Sequence, residues 1–406
     1  MLTSLIPVFD ENISVRAYSL FTQKLNYLME PRFYLIARLD GCNSIEGLEV
    51  IKNVGMDALS ADKDIFVPIS NVSIFADVAA ECSVTHGSIT LLLDNEVLPS
   101  SMYISRLSEL KEEGFKLAIR KLHYSDLESY GPILKLMDYL FINTSDDDAR
   151  QIKNYMRSKF EKVKLVAGNI STMEEFEIYS NDGGFSLFEG SFYRTPVTMG
   201  NHEIAPLKIT YLELLNVVNG PDFNLADAAD IIGHDTALVI SMLKMVNNMT
   251  YNSQITTIRH AAAMLGQREL RRWTCTAVTS QLCQDKPGEI MRLSLIRAKF
   301  AENLATVFDL KSRSSELFLA GLFSVIDIIL DKPMHEALKY VTVSKDITTA
   351  LISNDGPLAP VFEFIRSYEN ADWTEVFRMM ILHNIENPPV YEAYRNALEW
   401  YRKLTS

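Results

Sequence analysis

Short runs of apolar and β-branched residues recur along the first half of the chain, and helix-like stretches separate the later runs. The later runs begin about 22–27 residues apart, which is the spacing of repeated strand–helix units whose strands are buried on both faces. Enough such units close into a parallel barrel of about eight strands, a modified TIM-like (β/α)8 barrel. The first two runs flank Asp10–Asn12, which is a hairpin-like turn. The predicted strands are Leu5–Phe9, Ser14–Phe21, Phe33–Leu39, Asp64–Ile69, Ile89–Leu93, Phe115–Ile119, Tyr139–Asn143, Val163–Ala167 and Phe185–Phe188.

The second half has the hydrophobic periodicity of helices. Leu238, Met242 and Val246 recur at helical spacing behind Asp235, which stands where a helix N-cap belongs. Thr256 or Thr257 is placed to cap the next helix, and Gly266 is predicted to end it. Short amphipathic helices joined by tight turns must bury their apolar faces against one another. The overall fold class is therefore α/β followed by all-α.

The chain has 406 residues, which favours two domains, and we predict a barrel over residues 1–200 and a helical domain over residues 201–406. The net charge of −13 argues against general nucleic-acid binding, because binding to phosphate backbones needs a basic surface. The most apolar run, Leu317–Leu330, contains Asp327 and is too short to cross a bilayer. No signal peptide is visible, so we predict a cytoplasmic location without membrane attachment. Cys275 and Cys283 are expected to be buried thiols on one helix face.

In barrels of this kind the chemistry lies at the carboxyl ends of the strands. A two-metal phosphodiesterase needs several carboxylates that converge on cations about 3.5–4 Å apart. In this sequence the only carboxylates at the strand ends are Asp94, Glu96 and Glu189, and the cations Arg120 and Lys121 stand at a central strand end. The remaining strand-end residues are Ser19, Pro68, Asn95, Asn143 and Gly168.

The first half resembles the EAL-type cyclic-di-GMP phosphodiesterase barrel. The resemblance is carried by IPVFDENISVRAYSLF, FVPIS, LAIRKLHY, LVAGNIST and LFEGSFYRTP. The resemblance implies a set of metal ligands and a catalytic base, but the residues at these positions are of other types. They are Ser19, Pro68, Arg120, Lys121, Asn143, Gly168, Ser171 and Glu189, while Asp94 matches a further family glutamate in one register only. We therefore predict that hydrolysis is lost, with no catalytic residue and no metal site.

The second half resembles the HD-related output domain (HDOD), a non-catalytic relative of the HD-type metal phosphohydrolases. The resemblance is carried by DTAL from Asp235, KMVN from Lys244, IRHA from Ile258 and MLG up to Gly266. Ser324 and Val325 stand where the catalytic relatives have their metal-binding His-Asp dipeptide. His234-Asp235 lies at the start of a helix instead, and Asp235 is better used as its cap.

Taken together, the resemblances imply a bacterial-type signalling protein without enzymatic activity or cofactor. It would act by protein–protein interaction with an unknown signalling partner in a cyclic-di-GMP-linked circuit that controls motility or biofilm formation. One alternative is an effector that binds cyclic-di-GMP without hydrolysis, and another is residual metal-dependent cleavage. Arg120, Lys121, Tyr193 and Arg194 are the candidate contacts for a retained nucleotide. The resemblance also leaves a homodimer open.

Two local motifs have alternative interpretations. TTIRHAAAMLGQRELRRW resembles a helix-turn-helix, whose arginines Arg268, Arg271 and Arg272 would contact DNA. We favour a helical corner whose arginines face solvent or pair with acids. The acidic run Asp146–Asp148 is interpreted as the start of a helix, where carboxylates favour the positive end of the helix dipole, and not as a calcium loop.

Overall fold

The computed structural model describes residues 1–24, 45–195, 204–220, 223–249 and 254–405. The predicted strand Phe33–Leu39 and Cys42 lie outside these residues. The described part divides into two compact units: residues 1–195, 303–311 and 363–406 form the first, and residues 196–302 and 312–362 form the second. The predicted boundary at residue 200 stays a prediction, but the packing groups the last 44 residues with the barrel and not with the helices that precede them.

The first unit contains a closed barrel of eight strands in chain order, which confirms the predicted fold. The strands are β1 (Leu2–Phe9), β2 (Val15–Gln23), β3 (Asp64–Pro68), β4 (Ile89–Leu93), β5 (Lys116–Ile119), β6 (Tyr139–Asn143), β7 (Lys164–Ile170) and β8 (Phe185–Gly190). The helices with this unit are Glu46–Val54, Met56–Ser60, Val78–Glu81, Ser101–Glu112, Gly131–Leu134, Ala149–Lys159, Met173–Asp182, Ala359–Glu369, Trp373–Leu382 and Asn387–Thr405.

The hairpin predicted for the first two strands is confirmed. Strand β1 runs antiparallel to both of its neighbours, β2 and β8, while the pairs from β2 to β8 are parallel. A tight turn after Asp10 joins β1 to β2, and so short a connection permits only an antiparallel pair. The Asp10 carboxylate stabilises this turn by accepting hydrogen bonds from the N–H groups of Asn12 and Ser14, each at 2.9 Å.

The barrel interior is filled by apolar side chains. Phe66 and Phe141 pack edge to face with their ring centroids 5.0 Å apart. Phe141 stands where the resemblance to the EAL-type barrel implies a lysine, and its ring is part of the apolar core. The interior cluster is Val8, Ala17, Phe66, Leu92, Ala118, Phe141 and Val166.

The second unit is helical throughout its described residues, as predicted. Its helices are Pro206–Asn219, Leu225–Ile232, Thr236–Met249, Ile258–Leu282, Gly288–Leu304, Ser314–Phe323, Ile326–Leu330, Met334–Ala337 and Lys345–Ser353, and the end of Gly288–Leu304 passes into the first unit. None of the helices among the described residues combines the length and the apolar character needed to cross a bilayer.

The predicted helix signals of this unit are confirmed. The Asp235 carboxylate accepts from the Leu238 N–H at 2.9 Å and from the Tyr211 hydroxyl at 2.7 Å. The Thr257 hydroxyl caps the next helix by accepting from the His260 N–H at 3.4 Å. Gly266 has φ +71°, a left-handed conformation that suits glycine, and the helix kinks there. Cys275 and Cys283 are both buried, and burial raises the pKa of each thiol to about 12.

Candidate functional site

The carboxyl ends of β2, β5, β7 and β8 bring four of the predicted site residues into one mouth of the barrel. Glu189 on β8 lies next to Gly168 on β7. A Cβ atom added to Gly168 would be only 3.6 Å from the Glu189 Oε2 atom. Ser19 is fully buried on β2 and lies beside the same carboxyl. Arg120 follows β5, and its guanidinium carbon lies 5.3 Å from the centre of the Phe21 ring.

Burial shifts the pKa values of the two charged groups at this mouth. Desolvation raises the pKa of Glu189, although the Ser19 hydroxyl and the charge of Arg120 both act to lower it. Burial lowers the pKa of Arg120, and the charges of Glu189 and Asp94 act in the opposite direction. The Arg120 Nε atom has no hydrogen-bond partner among the described residues. One partly buried cation therefore lies near one partly buried carboxyl at the mouth.

The other predicted strand-end residues are engaged locally. Lys121 lies with its Nζ atom 3.4 Å from the Asp94 carboxylate, and Asn143 donates to the Asp146 carboxylate at 2.7 Å. The Ser171 N–H donates to Glu175 at 2.8 Å. Pro68 ends β3 and carries no side-chain donor or acceptor. None of these contacts draws further carboxylates toward Glu189.

A divalent metal pair of the kind that the EAL resemblance implies does not fit this donor set. Such a pair needs several carboxylate oxygens around both ions. At the strand ends of this mouth, Glu189 lies near the Arg120 cation, and the Asp94 carboxylate is paired with Lys121. The arrangement offers one carboxyl and one guanidinium as hydrogen-bonding groups to a ligand.

Tyr193 and Arg194, which were predicted as nucleotide contacts, lie just after β8. Tyr193 is buried, with its ring centroid 5.1 Å from that of Phe9. The Arg194 guanidinium lies 3.2 Å from the Glu369 carboxylate and donates to the Asn370 side chain at 3.2 Å. Sequence reasoning missed Glu369, since no local pattern links residues 175 positions apart.

A second group of side chains lies on the loops after β5 and β6, where His123 approaches the acidic run in a way that the sequence analysis did not predict. The ligand atoms of His123, Asp146 and Asp148 lie within 4.8 Å of one another. Asp148 precedes the helix Ala149–Lys159 but makes no side-chain cap hydrogen bond; its carboxylate accepts instead from the Tyr124 N–H at 2.7 Å. The acidic run therefore lies at the start of a helix, as predicted, while the Asp148 carboxylate bonds to the neighbouring loop and not to the helix backbone.

The larger cavity found among the described residues lies at the opposite end of the barrel. Its volume is about 840 Å³, and its walls include Asp10, Arg16 and Asp64. Arg16 pairs with Asp10 at 2.7 Å, and Lys116 pairs with Asp64 at 2.5 Å. Because catalysis in such barrels occurs at the carboxyl ends of the strands, we assign this cavity no catalytic role.

In the helical unit, Ser324 and Val325 stand where the catalytic HD-type relatives have a His-Asp dipeptide, and both side chains are engaged locally. The Ser324 hydroxyl donates to the Gly321 carbonyl at 2.7 Å and accepts from the Arg297 guanidinium at 3.2 Å. Val325 is fully buried in the core. A hydroxyl, an alkyl group and a cation at this place do not fit a metal ion.

The arginines of the helix-turn-helix motif are used inside this unit. Arg271 donates to the Val218 carbonyl at 2.6 Å, and Arg272 pairs with Glu302 at 3.0 Å. Arg268 stays exposed, 3.7 Å from Glu269. The motif is thus packed as a helical corner, which is the interpretation favoured from the sequence.

Asp327 is a buried carboxyl two residues beyond this position, and its Oδ1 atom has no hydrogen-bond partner among the described residues. Desolvation raises its pKa to about 6, although nearby backbone N–H groups and Arg297 act to lower it. An aspartate inside the apolar run Leu317–Leu330 was the sequence signal for such a group.

We expect Asp327→Asn to stabilise the helical unit at neutral pH. Because the folded pKa lies above the ordinary value, the folded state binds more protons than the unfolded state between about pH 4 and pH 6. The free energy of unfolding of the wild type should fall by about 2–3 kcal/mol as pH rises through this window. The variant should not show this fall, and at pH 8 it should be more stable than the wild type by a similar amount. Urea denaturation at pH 4 and pH 8 measures both differences. The exposed Asp355→Asn is the matched control, and equal pH slopes in all three proteins would contradict the prediction.

Comparison with known proteins finds a matching domain family, similar sequences and similar solved structures. Residues 204–347 match the model of the HDOD domain. The chain is 25% identical to YuxH of Bacillus subtilis, over 98% of this chain and 97% of the relative. It is 27% identical to CdgJ of Vibrio cholerae, which is named a cyclic di-GMP phosphodiesterase, over 75% of this chain and 71% of the relative. An EAL domain protein of Listeria monocytogenes has a solved structure that matches 47% of this chain and 87% of its own, at 14% identity and a TM-score of 0.36.

Proposed function

We propose that this chain, an EAL-like barrel joined to an HDOD domain, is a non-catalytic signalling protein that acts through protein–protein interaction. We place it in a cyclic-di-GMP-linked circuit, because its relative CdgJ is named for that nucleotide and the barrel resembles the enzymes that cleave it. Control of motility or biofilm formation belongs to the same proposal.

The observation that carries the proposal is the set of side chains at the barrel mouth. Serine, arginine and glycine stand at Ser19, Arg120 and Gly168, where the enzymes of the EAL resemblance hold metal ligands. Loss of one ligand would leave weak activity, but loss of the set leaves no means to activate water at neutral pH. The barrel would then serve as a scaffold that a partner recognises.

Incubation of the full chain with cyclic-di-GMP and Mg²⁺ or Mn²⁺ tests the catalytic part of the proposal. We expect no linear dinucleotide above the protein-free blank after many hours, measured by chromatography, because no described group at the mouth is placed to generate hydroxide. An active EAL phosphodiesterase under the same conditions is the positive control. Metal-dependent accumulation of product at a rate proportional to protein concentration would overturn the proposal.

Affinity capture from a lysate of the native host tests the interaction part. A captured protein supports the proposal only when the purified pair forms a complex of defined stoichiometry in sedimentation velocity. Separately expressed residues 1–200 and 201–406 are unsuitable baits, since residues 363–406 pack with the barrel.

Retained binding of cyclic-di-GMP without cleavage is the second candidate function. It is favoured by a cavity of about 430 Å³ at the barrel mouth, whose walls include Phe21, Arg194 and Glu189. An aromatic ring and a guanidinium are the groups that stack on bases and hold phosphates. Calorimetric titration of the full chain with cyclic-di-GMP distinguishes the two candidates.

A further inference from the structure

The cavity at the barrel mouth has one wall that the barrel itself does not supply. The barrel contributes Phe21, Ser171 and Glu189, whereas the opposite wall consists of Glu369, Asn370 and Ala371. These three residues connect the helices Ala359–Glu369 and Trp373–Leu382. They belong to the same compact unit as the barrel.

Glu369 and Arg194 form an ion pair inside this mouth. The Arg194 guanidinium lies 3.2 Å from the Glu369 carboxylate, and the two side chains are only 17% and 11% exposed. The same guanidinium donates to the Asn370 Oδ1 atom at 3.2 Å and, through Nε, to the Tyr193 hydroxyl at 3.2 Å. A guanidinium recognises a carboxylate and a phosphate through the same fork of N–H donors. The internal carboxylate therefore takes the place on Arg194 that an anionic ligand group would need.

Hydrogen bonds from β1 hold this connecting segment in position. The Thr3 N–H donates to the Tyr368 hydroxyl at 3.0 Å, and the Ser4 hydroxyl donates to the Glu369 carbonyl at 3.1 Å. Ala371 adopts φ +54°, a left-handed conformation that is strained for a residue with a Cβ atom. The Ser4 hydroxyl thus fixes the Glu369 backbone itself. The Ala371 and Asp372 N–H groups close the end of the helix by donating to the Tyr368 and Ser367 carbonyls at 3.1 and 2.9 Å.

We propose that Glu369 is an internal latch, which closes the barrel mouth to anionic ligands by holding Arg194 until a ligand or partner displaces it. The latch goes beyond the proposed function, since it concerns access to the mouth and not hydrolysis. A phosphodiester nucleotide is the ligand class that fits, because it offers an anion for Arg194 and a base for the Phe21 ring. Release of the latch would free the Glu369 carboxylate, which is only 11% exposed, and so couple occupancy of the mouth to the charge presented to a partner.

The test compares the full-length wild type with Glu369→Gln, which removes the charge and keeps the side-chain size. Isothermal calorimetry with metal-free cyclic-di-GMP, and with inorganic pyrophosphate as a second probe, should give a Kd at least about ten-fold lower for the variant, because the charge-assisted competitor is gone. Hydrogen exchange of the amides in residues 369–373 should also be faster in the variant.

Glu375→Gln is the matched control. It breaks the exposed ion pair of Glu375 with Arg378 on the adjacent helix and should leave both the affinity and the exchange of the wild type unchanged. In the double variant Arg194→Ala with Glu369→Gln, the gain in affinity should disappear, since the cation that receives the ligand is lost.

Three outcomes overturn the latch: equal affinity of wild type and Glu369→Gln, no binding by either protein, or a gain that persists without Arg194. Circular dichroism of each variant confirms that the fold is kept. Product formation by any of these proteins would contradict the non-catalytic function and leave the latch standing, so the two failures are distinguishable.

Discussion

Gly190→Ala should lower the free energy of unfolding of the barrel by about 4 kcal/mol or more, which is among the largest effects of a single methyl group. Gly190 ends β8 with φ +155°, and a Cβ atom there would lie 2.0 Å from the Ile170 carbonyl oxygen on β7. Neither backbone can yield without breaking the pairing of Ile170 with Gly190 that closes the barrel at this point. Urea denaturation, followed by hydrogen exchange of the β7 and β8 amides, measures the loss.

Gly168→Ala is the matched control on the adjacent strand. Its Cβ atom would meet the Ile142 carbonyl oxygen at 3.5 Å and Glu189 at 3.6 Å, which are ordinary contacts. The free energy of unfolding should therefore change by less than about 1 kcal/mol. Equal stability of the two alanine variants would contradict the close approach of the β7 and β8 backbones at Gly190.

Tyr368→Ala should destabilise the barrel unit by about 3–5 kcal/mol, although residue 368 is far from the barrel in sequence. The Tyr368 side chain is fully buried. Its ring centroid lies 5.1 Å from that of Tyr394 and 5.5 Å from that of Trp373. Its hydroxyl accepts from the Thr3 N–H at 3.0 Å, so it joins the carboxyl-terminal helices to the first strand. The measurement is urea denaturation with hydrogen exchange of the β1 amides as the barrel readout.

Tyr368→Phe separates packing from hydrogen bonding. The ring remains, but the buried Thr3 N–H loses its acceptor, which should cost about 1–3 kcal/mol. The β1 amides should exchange faster than in the wild type in both variants, and fastest in Tyr368→Ala. This result would support the assignment of residues 363–406 to the barrel unit. Normal β1 exchange in Tyr368→Ala would show that these helices are independent of the barrel.

Local sequence signals predicted the elements of the fold well where an apolar run was bounded by turn residues. The strands Ile89–Leu93 and Tyr139–Asn143 have the predicted ends, because polar residues or glycine stand close to each run. Asp235, Thr257 and Gly266 act as predicted, since caps and left-handed glycines depend on residues a few positions away. The hairpin of β1 and β2 is also present as predicted, because turn residues between two short apolar runs favour an antiparallel pair. The pairing of β1 with β8 joins segments far apart in the chain and left no local signal.

For the barrel mouth too, the sequence determined one part of the chemistry and the tertiary structure decided the rest. The sequence alone determined which residue types stand at the strand ends, and hence that Ser19, Arg120 and Gly168 offer no carboxylate for a metal. It did not reveal that Arg194 is paired with Glu369, because an ion pair across 175 residues leaves no local pattern. Only the tertiary structure decided that the last helices complete the barrel unit and that their connecting segment forms a wall of its mouth. Periodicity and capping are read over a few residues, whereas burial and charge pairing arise when distant segments meet.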